Sequence, residues 1–316
     1  MVTWNRMTRM AVLALASLTL VAPSGLADQP DSTTTHPHFR IKVTGQGRPI
    51  ILIPGLTCNG SVWKATVDQL KDRYQVHVLS LAGFGGTPAV DGPLLPSVRS
   101  ELARYIRQQK LEKPAIVGHS LGGMLALWLA GEHPALVGSV IAVDGVPFLP
   151  ALQQPDATVE STRESAQRLA GFFATLDADT FAKQNEMTLP MMVRDAKTAT
   201  RLAEMASKSD AKTVGQAFAE LMTNDLRKKV RAIQAPVLVI APAEPALPGP
   251  SADVVQQRYR DQFQGIRHCR LEFWPNVRHF VMFDAPQRFH TVVSQFLSDP
   301  ASYVAEGTQA GGSDNE

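Results

Sequence analysis

Ser120 stands at the centre of Gly118-His119-Ser120-Leu121-Gly122, a serine with glycine two residues away on each side. A serine hydroxyl attacks a carbonyl only when a base takes its proton and donors receive the oxyanion that forms. Glycine at both flanking positions lets other backbone approach a sharp turn that a Cβ would block. Ala115–Val117 before it reads as a short buried strand, and Leu121 to Gly131 after it as an apolar helix. Strand, turn and helix in that order lift the hydroxyl above a sheet edge. They also leave the Leu121 N–H at a helix N-terminus, where it can donate to an oxyanion.

Eight histidines compete for the role of base. His36 and His38 precede the core, and His77 lies within a strand. His119 belongs to the turn itself, His133 ends a helix, His268 precedes a strand and His290 sits on the last helix. His279 falls in a loop after the final strand and is the expected base. The acid has two candidates at strand ends. Asp144 follows the run Val137–Val143, and Glu244 lies in Ala241-Pro242-Ala243-Glu244-Pro245 after the run Val237–Ile240. Asp144 is preferred. Its separation of 24 residues from Ser120 suits a helix and a strand returning to the same edge. A carboxylate beside a buried strand also needs a partner, which an imidazolium supplies. Glu244 remains open, as does a plain turn-forming role for Asp144-Gly145.

The elements that must position these residues alternate between strand and helix. Phe39–Val43 has the alternation of a half-exposed strand, and Pro49–Ile53 and Tyr74–Leu79 read as further strands. Val62–Leu70 and Val98–Gln108 have helical spacing. Alternation stops at Val146, and from there to about Ile233 only helical patterns occur: Thr162–Leu176, Ala196–Met205 and Val214–Met222. It resumes at Val237–Ile240, continues with Leu271–Trp274 and closes with a helix over Pro286–Leu297. The fold class is therefore α/β: a mostly parallel sheet flanked by helices, with an all-helical cap inserted. The boundaries are 1–27 for a signal peptide, 28–145 and 234–298 for the core, 146–233 for the cap and 299–316 for a flexible tail. The apolar residues Phe172, Phe173, Met187, Leu189, Met191 and Met192 are read as the interior of the cap. Trp63 either lines an acyl pocket or packs helix against sheet.

With the elbow, the order serine, acid, histidine and this alternation in place, the chain resembles the α/β-hydrolase family over nearly all of residues 28–298. Ile51–Gly55 followed by Leu56 looks like that family's oxyanion strand and loop, with Pro54-Gly55 where His-Gly is usual. The resemblance makes the Leu56 N–H the second oxyanion donor beside Leu121. Ser80–Gly85 resembles the family's glycine-rich turn, with Ala82 where proline is common, and Arg278-His279-Phe280 with Asp284-Ala285-Pro286 resembles its histidine loop. The usual acid loop after Val237–Ile240 is absent, which is why Asp144 enters. The implied activity is hydrolysis of carboxylic esters through an acyl-enzyme on Ser120. The alternatives are a thioesterase, lactonase, amidase or carbon–carbon hydrolase, or a binding protein that kept the fold without catalysis.

Composition sets the remaining bounds. Apolar residues make up 44% of the 316, enough for a large core. Residues 1–27 hold Arg6, Arg9 and no acid, and without them the formal charge falls from +2 to zero. No overall field then steers the protein to nucleic acid. Arg6 and Arg9, the apolar run Met10–Val21 and the small residues of Gly25-Leu26-Ala27 read as a cleaved export signal ending before Asp28. The run is short for a membrane span of about 20 residues. Cys58 and Cys269 fall in distant places and read as free thiols. No metal spacing, phosphate loop or dinucleotide fingerprint occurs, so no cofactor is expected. The expected partner is a small, apolar ester.

Overall fold

The computed structural model describes residues 32–243 and 250–310. The signal segment and Glu244 lie outside them. Eight strands form one sheet: β1 (Ser32–Thr35), β2 (Phe39–Thr44), β3 (Arg48–Ile53), β4 (Tyr74–Leu81), β5 (Ala115–His119), β6 (Ser139–Val143), β7 (Val237–Pro242) and β8 (Cys269–Trp274). Their order across the sheet is β1-β2-β4-β3-β5-β6-β7-β8. The two pairs at one edge, β1 with β2 and β2 with β4, are antiparallel, and every other pair is parallel. Side chains of a strand point alternately to opposite faces, and the core divides accordingly. Ile51, Ile53, Val140, Ala142, Val237 and Val239 belong to one hydrophobic cluster, whereas Ile50, Leu52, Ile141, Val143, Leu238 and Ile240 belong to a second. Both faces of the central strands are thus buried, as parallel strands require.

Helices α2 (Leu94–Gln108), α3 (Leu121–Glu132) and α8 (Ala252–Phe263) cover the first face. Helices α1 (Lys64–Leu70), α9 (Val281–Asp284) and α10 (Pro286–Ser298) cover the second. Helix α3 is buried from Leu121 to Gly131, so its uniformly apolar sequence fits a helix enclosed on all sides. Trp63 is fully buried and stacks on Phe289 at 6.3 Å, which makes it a packing residue between α1 and α10.

Between β6 and β7 lie four helices: α4 (Val159–Ala174), α5 (Ala178–Met192), α6 (Ala196–Ala206) and α7 (Ala211–Thr223). Helix α4 packs on α7, and α5 on α6. Asp177, Asp195 and Asp210 cap α5, α6 and α7, each accepting the N–H of the threonine three residues on at 2.7, 2.8 and 2.8 Å. Each such cap contributes about 1 kcal/mol.

Three expectations are corrected. Residues 299–316 are not wholly a flexible tail: Pro300–Ala310 is a helix, α11, because Val304 buries in the second cluster and Tyr303 packs on Phe296. His36 and His38 do not precede the sheet: β1 lies before them, and its β-branched threonines pair with β2 as an exposed edge. Phe172, Met187 and Met191 do not fill the cap interior. They are 48%, 68% and 42% exposed, and Leu189 is the buried residue of that group on α5. Cys58 and Cys269 are free thiols.

Candidate active site

Ser120 caps the N-terminus of α3 with φ 53° and ψ −117°, a conformation costly for a residue with a Cβ. Its neighbours hold it there. Its N–H donates to the Val143 carbonyl at 2.8 Å. A Cβ at Gly118 would lie 2.1 Å from the Gly122 oxygen, and one at Gly122 would lie 2.3 Å from the Ile53 oxygen. The two glycines of the elbow are therefore steric necessities. Leu121 opens α3, and a first-turn N–H has no acceptor within its own helix. The loop after β3 passes close to it: a Cβ on Gly55 would lie 3.2 Å from the Ser120 Cβ. Leu56 follows Gly55, half-buried, with its carbonyl held by the Thr57 hydroxyl at 2.6 Å.

Asp144 comes one residue after β6, in the left-handed region at φ 48°, with its N–H held by the Ile240 carbonyl at 2.8 Å. Gly145 follows because a Cβ there would lie 2.7 Å from the Ser120 oxygen. The structure thus brings the acid's backbone against the elbow. His279 arrives from the loop after β8, and its Nδ1 lies 2.5 Å from Asp144 Oδ2. The other carboxylate oxygen accepts the hydroxyl of Tyr259 on α8. Burial pushes the Asp144 carboxyl up, but the charge and hydrogen bond of His279 and the Tyr259 hydroxyl outweigh it, so the group stays below the usual carboxylate range. A carboxylate accepts only, so the His279 proton sits on Nδ1 and the lone pair on Nε2. That is the form a general base needs.

His119 is buried beneath this pair. Its Nε2 lies 3.0 Å from the His279 carbonyl, which can only accept, so Nε2 carries the proton. Its Nδ1 is buried with no hydrogen-bond partner, and burial, reinforced by the nearby His279, pushes its pKa down to about 3. The imidazole is therefore neutral and serves as a strut between elbow and histidine loop. Its ring packs on His279 at 4.5 Å and on Phe280 at 4.7 Å.

The cap is tied to both loops. Asp284 accepts the N–H of Arg278 at 2.7 Å with one oxygen and that of Arg194, just beyond α5, at 2.8 Å with the other. Arg278 also donates to the Pro190 carbonyl at 2.6 Å. Ser209, between α6 and α7, donates to the Thr57 carbonyl at 3.2 Å and receives the Gly85 N–H at 2.9 Å. Among the described residues no group of three or more His, Cys, Asp or Glu side chains could hold a metal ion.

The profile of the alpha/beta hydrolase family matches residues 50–292. The chain belongs to that family. Among its curated relatives, the pimeloyl-[acyl-carrier protein] methyl ester esterase of Vibrio cholerae is 27% identical over 202 residues, 62% of this chain and 76% of the relative. The enzyme of the same name from Nitrosomonas europaea is 25% identical over 262 residues, 79% of this chain and 96% of that one. Among solved structures, the enol-lactonase of Burkholderia xenovorans LB400 superposes with a TM-score of 0.69 at 17% identity, covering 83% of this chain and 96% of its own. A thermophilic esterase from Thermogutta terrifontis gives 0.69 at 20%, covering 86% and 98%. At such identities these structures share the fold with this α/β-hydrolase.

The sequence pointed to Ser120, His279, Asp144, Leu56 and Leu121, and the fold gathers all five at the same end of the central strands. Tyr259 and Asp284 escaped it. Val255, Tyr259 and Phe263 lie four residues apart, a core stripe in which nothing marks a hydroxyl with a partner. The Asp284 carboxylate bonds to the backbone of Arg278, six residues back, and of Arg194, ninety residues back, and the second contact leaves no pattern in the sequence.

Proposed function

We propose that this α/β-hydrolase cleaves carboxylic esters through an acyl-enzyme on Ser120. The observation that carries the reading is the pairing of Asp144 with His279 beside a serine held at φ 53°. Nε2 of His279 takes the Ser120 proton as Oγ attacks the ester carbonyl. The N–H groups of Leu56 and Leu121 receive the oxyanion, and Asp144 stabilises the imidazolium that results. The imidazolium then protonates the departing alcohol, and the acyl group remains on Ser120. A water, deprotonated by the same nitrogen, releases the acid. The names of the curated relatives support an ester as the bond cleaved and a methyl ester as one substrate to test. A non-catalytic reading draws on the departure from the usual acid loop after β7, and the contact of Asp144 with His279 supports the catalytic one instead.

Hydrolysis of p-nitrophenyl butyrate and methyl butyrate by residues 28–316 is the test, together with labelling by a fluorophosphonate probe. Turnover and labelling that both vanish in Ser120→Ala are expected. A parent chain that neither turns over an ester nor labels refutes the proposal.

We also propose export, on the strength of Arg6, Arg9, the run Met10–Val21 and Gly25-Leu26-Ala27. Expression of the full chain in a bacterial host should yield periplasmic or extracellular protein beginning at Asp28. Cytosolic protein that keeps residues 1–27 contradicts it.

A further inference from the structure

We infer that Tyr259 is a positioning residue for the acid: its hydroxyl occupies Oδ1 of Asp144 so that Oδ2 alone is presented to His279. The inference rests on the triad proposed above. Asp144 has two carboxylate oxygens and a side chain only 12% exposed, so water has little access to satisfy either. The structure divides them between two partners from distant parts of the chain, Tyr259 on α8 and His279 after β8. Without a donor on Oδ1, the carboxylate can turn about its last torsion and offer His279 either oxygen or a poorly aligned one.

The donor itself is rigid. The Tyr259 ring is 4% exposed and meets Phe273 edge-on, at 5.9 Å and 88°. The Arg260 guanidinium lies over the Phe273 ring, 4.9 Å from its centroid. Phe273 belongs to β8, the strand that leads directly into the histidine loop. The two partners of Asp144 are therefore fixed to one strand, and their separation is set by β8. The phenol also keeps its proton. Burial first, and the Asp144 charge second, push its pKa well above that of a free tyrosine, so it donates at every pH at which an ester is hydrolysed enzymatically.

Tyr259→Phe keeps the ring and its contact with Phe273 and removes only the hydroxyl. Loss of a hydrogen bond to a charged group should lower kcat for p-nitrophenyl butyrate about tenfold, with KM changed less than about twofold. In an Asp144→Ala background the same change should alter kcat by less than about twofold, because there is no longer a side chain for the hydroxyl to orient. The Nδ1 proton of His279, bonded to Asp144, should give a far-downfield resonance in the parent that shifts upfield or broadens in Tyr259→Phe. Equal kcat losses in both backgrounds, a kcat within about twofold of the parent, or an unmoved resonance would each overturn the inference. The resonance needs no turnover, so a parent that fails as an esterase is distinguished from a Tyr259 that fails to position Asp144.

Discussion

Replacing Asp144 by Asn changes one atom and tests the whole arrangement. The Nδ1 of His279 and Oδ2 of Asp144 are 2.5 Å apart, and their side chains are 23% and 12% exposed. When Nε2 takes the serine proton, the charge centres of imidazolium and carboxylate lie roughly 4 Å apart. At an effective dielectric of about 20 their attraction is about 4 kcal/mol. Its loss from the transition state alone lowers kcat about a thousandfold. A second effect adds to it. The Asn amide keeps its oxygen for Tyr259 and turns its NH2 toward Nδ1, which drives the His279 proton to Nε2. The ring then cannot accept from Ser120, and a loss nearer ten-thousandfold is expected. The assay is steady-state hydrolysis of p-nitrophenyl butyrate, with the thermal midpoint followed alongside to establish that the variant is folded. A folded Asp144→Asn that keeps a tenth or more of the parental kcat would refute the assignment and transfer the role to Glu244, which Glu244→Gln then tests.

Three further outcomes follow from the same geometry. Gly122→Ala drives a Cβ to 2.3 Å from the Ile53 oxygen and 2.7 Å from the Pro54 oxygen, so a loss of about 3 kcal/mol and a fall of roughly 6–12 °C in the thermal midpoint are expected. A midpoint within about 2 °C of the parent contradicts the steric account of the elbow. Ser120→Gly abolishes turnover yet relieves the φ of 53°, a strain of about 1–3 kcal/mol that outweighs glycine's extra chain entropy of about 0.5–1 kcal/mol. Its midpoint should rise by about 2–4 °C, and a fall would mean that the serine conformation is unstrained. His119 is held neutral in the fold, its pKa lowered from 6.5 to about 3, chiefly by burial. The unfolded chain therefore binds a proton that the native chain refuses between those values, and stability falls as pH drops through that window. His77, lowered by burial to about 4, acts in the same direction. In His119→Gln the fall in unfolding free energy between about pH 6 and 4 should be shallower by about 1.4 kcal/mol per pH unit, because only the His119 proton is removed. An unchanged slope in denaturant titrations at both ends of the window counts against a buried neutral His119.

What could be read from the sequence was whatever a few consecutive residues decide. The elbow is legible because its steric demands fall within five residues, Gly118 to Gly122. The sheet is legible because a strand buried on both faces must be apolar along its length, as Ile50–Ile53, Ile141–Val143 and Val237–Ile240 are. The caps of α6 and α7 mark helices that periodicity had already located. Helix α5, which periodicity had not located, carries the same Asp-x-x-Thr start at Asp177, but Pro190 near its end breaks the pattern. Helix α11 was missed because short alanine- and glycine-containing segments gain their helicity from docking, here through Val304, more than from propensity.

The choice of acid was beyond any local reading. Both Asp144 and Glu244 follow buried strands, and nothing within either segment says which one a histidine 135 residues further along the chain from Asp144 will reach. That is fixed by the neighbour relation of β6 and β7, by the left-handed turn at Asp144 and by the length of the loop after β8. The same holds for Tyr259, whose spacing on α8 announces only a core residue. Its hydroxyl acquires a partner because α8 packs on β8 and so brings Tyr259 to Asp144, one residue after β6. Sequence determines a residue's own conformation and its tendency to be buried; which side chains meet depends on how distant segments are brought together, and catalytic hydrogen bonds are contacts of that second kind.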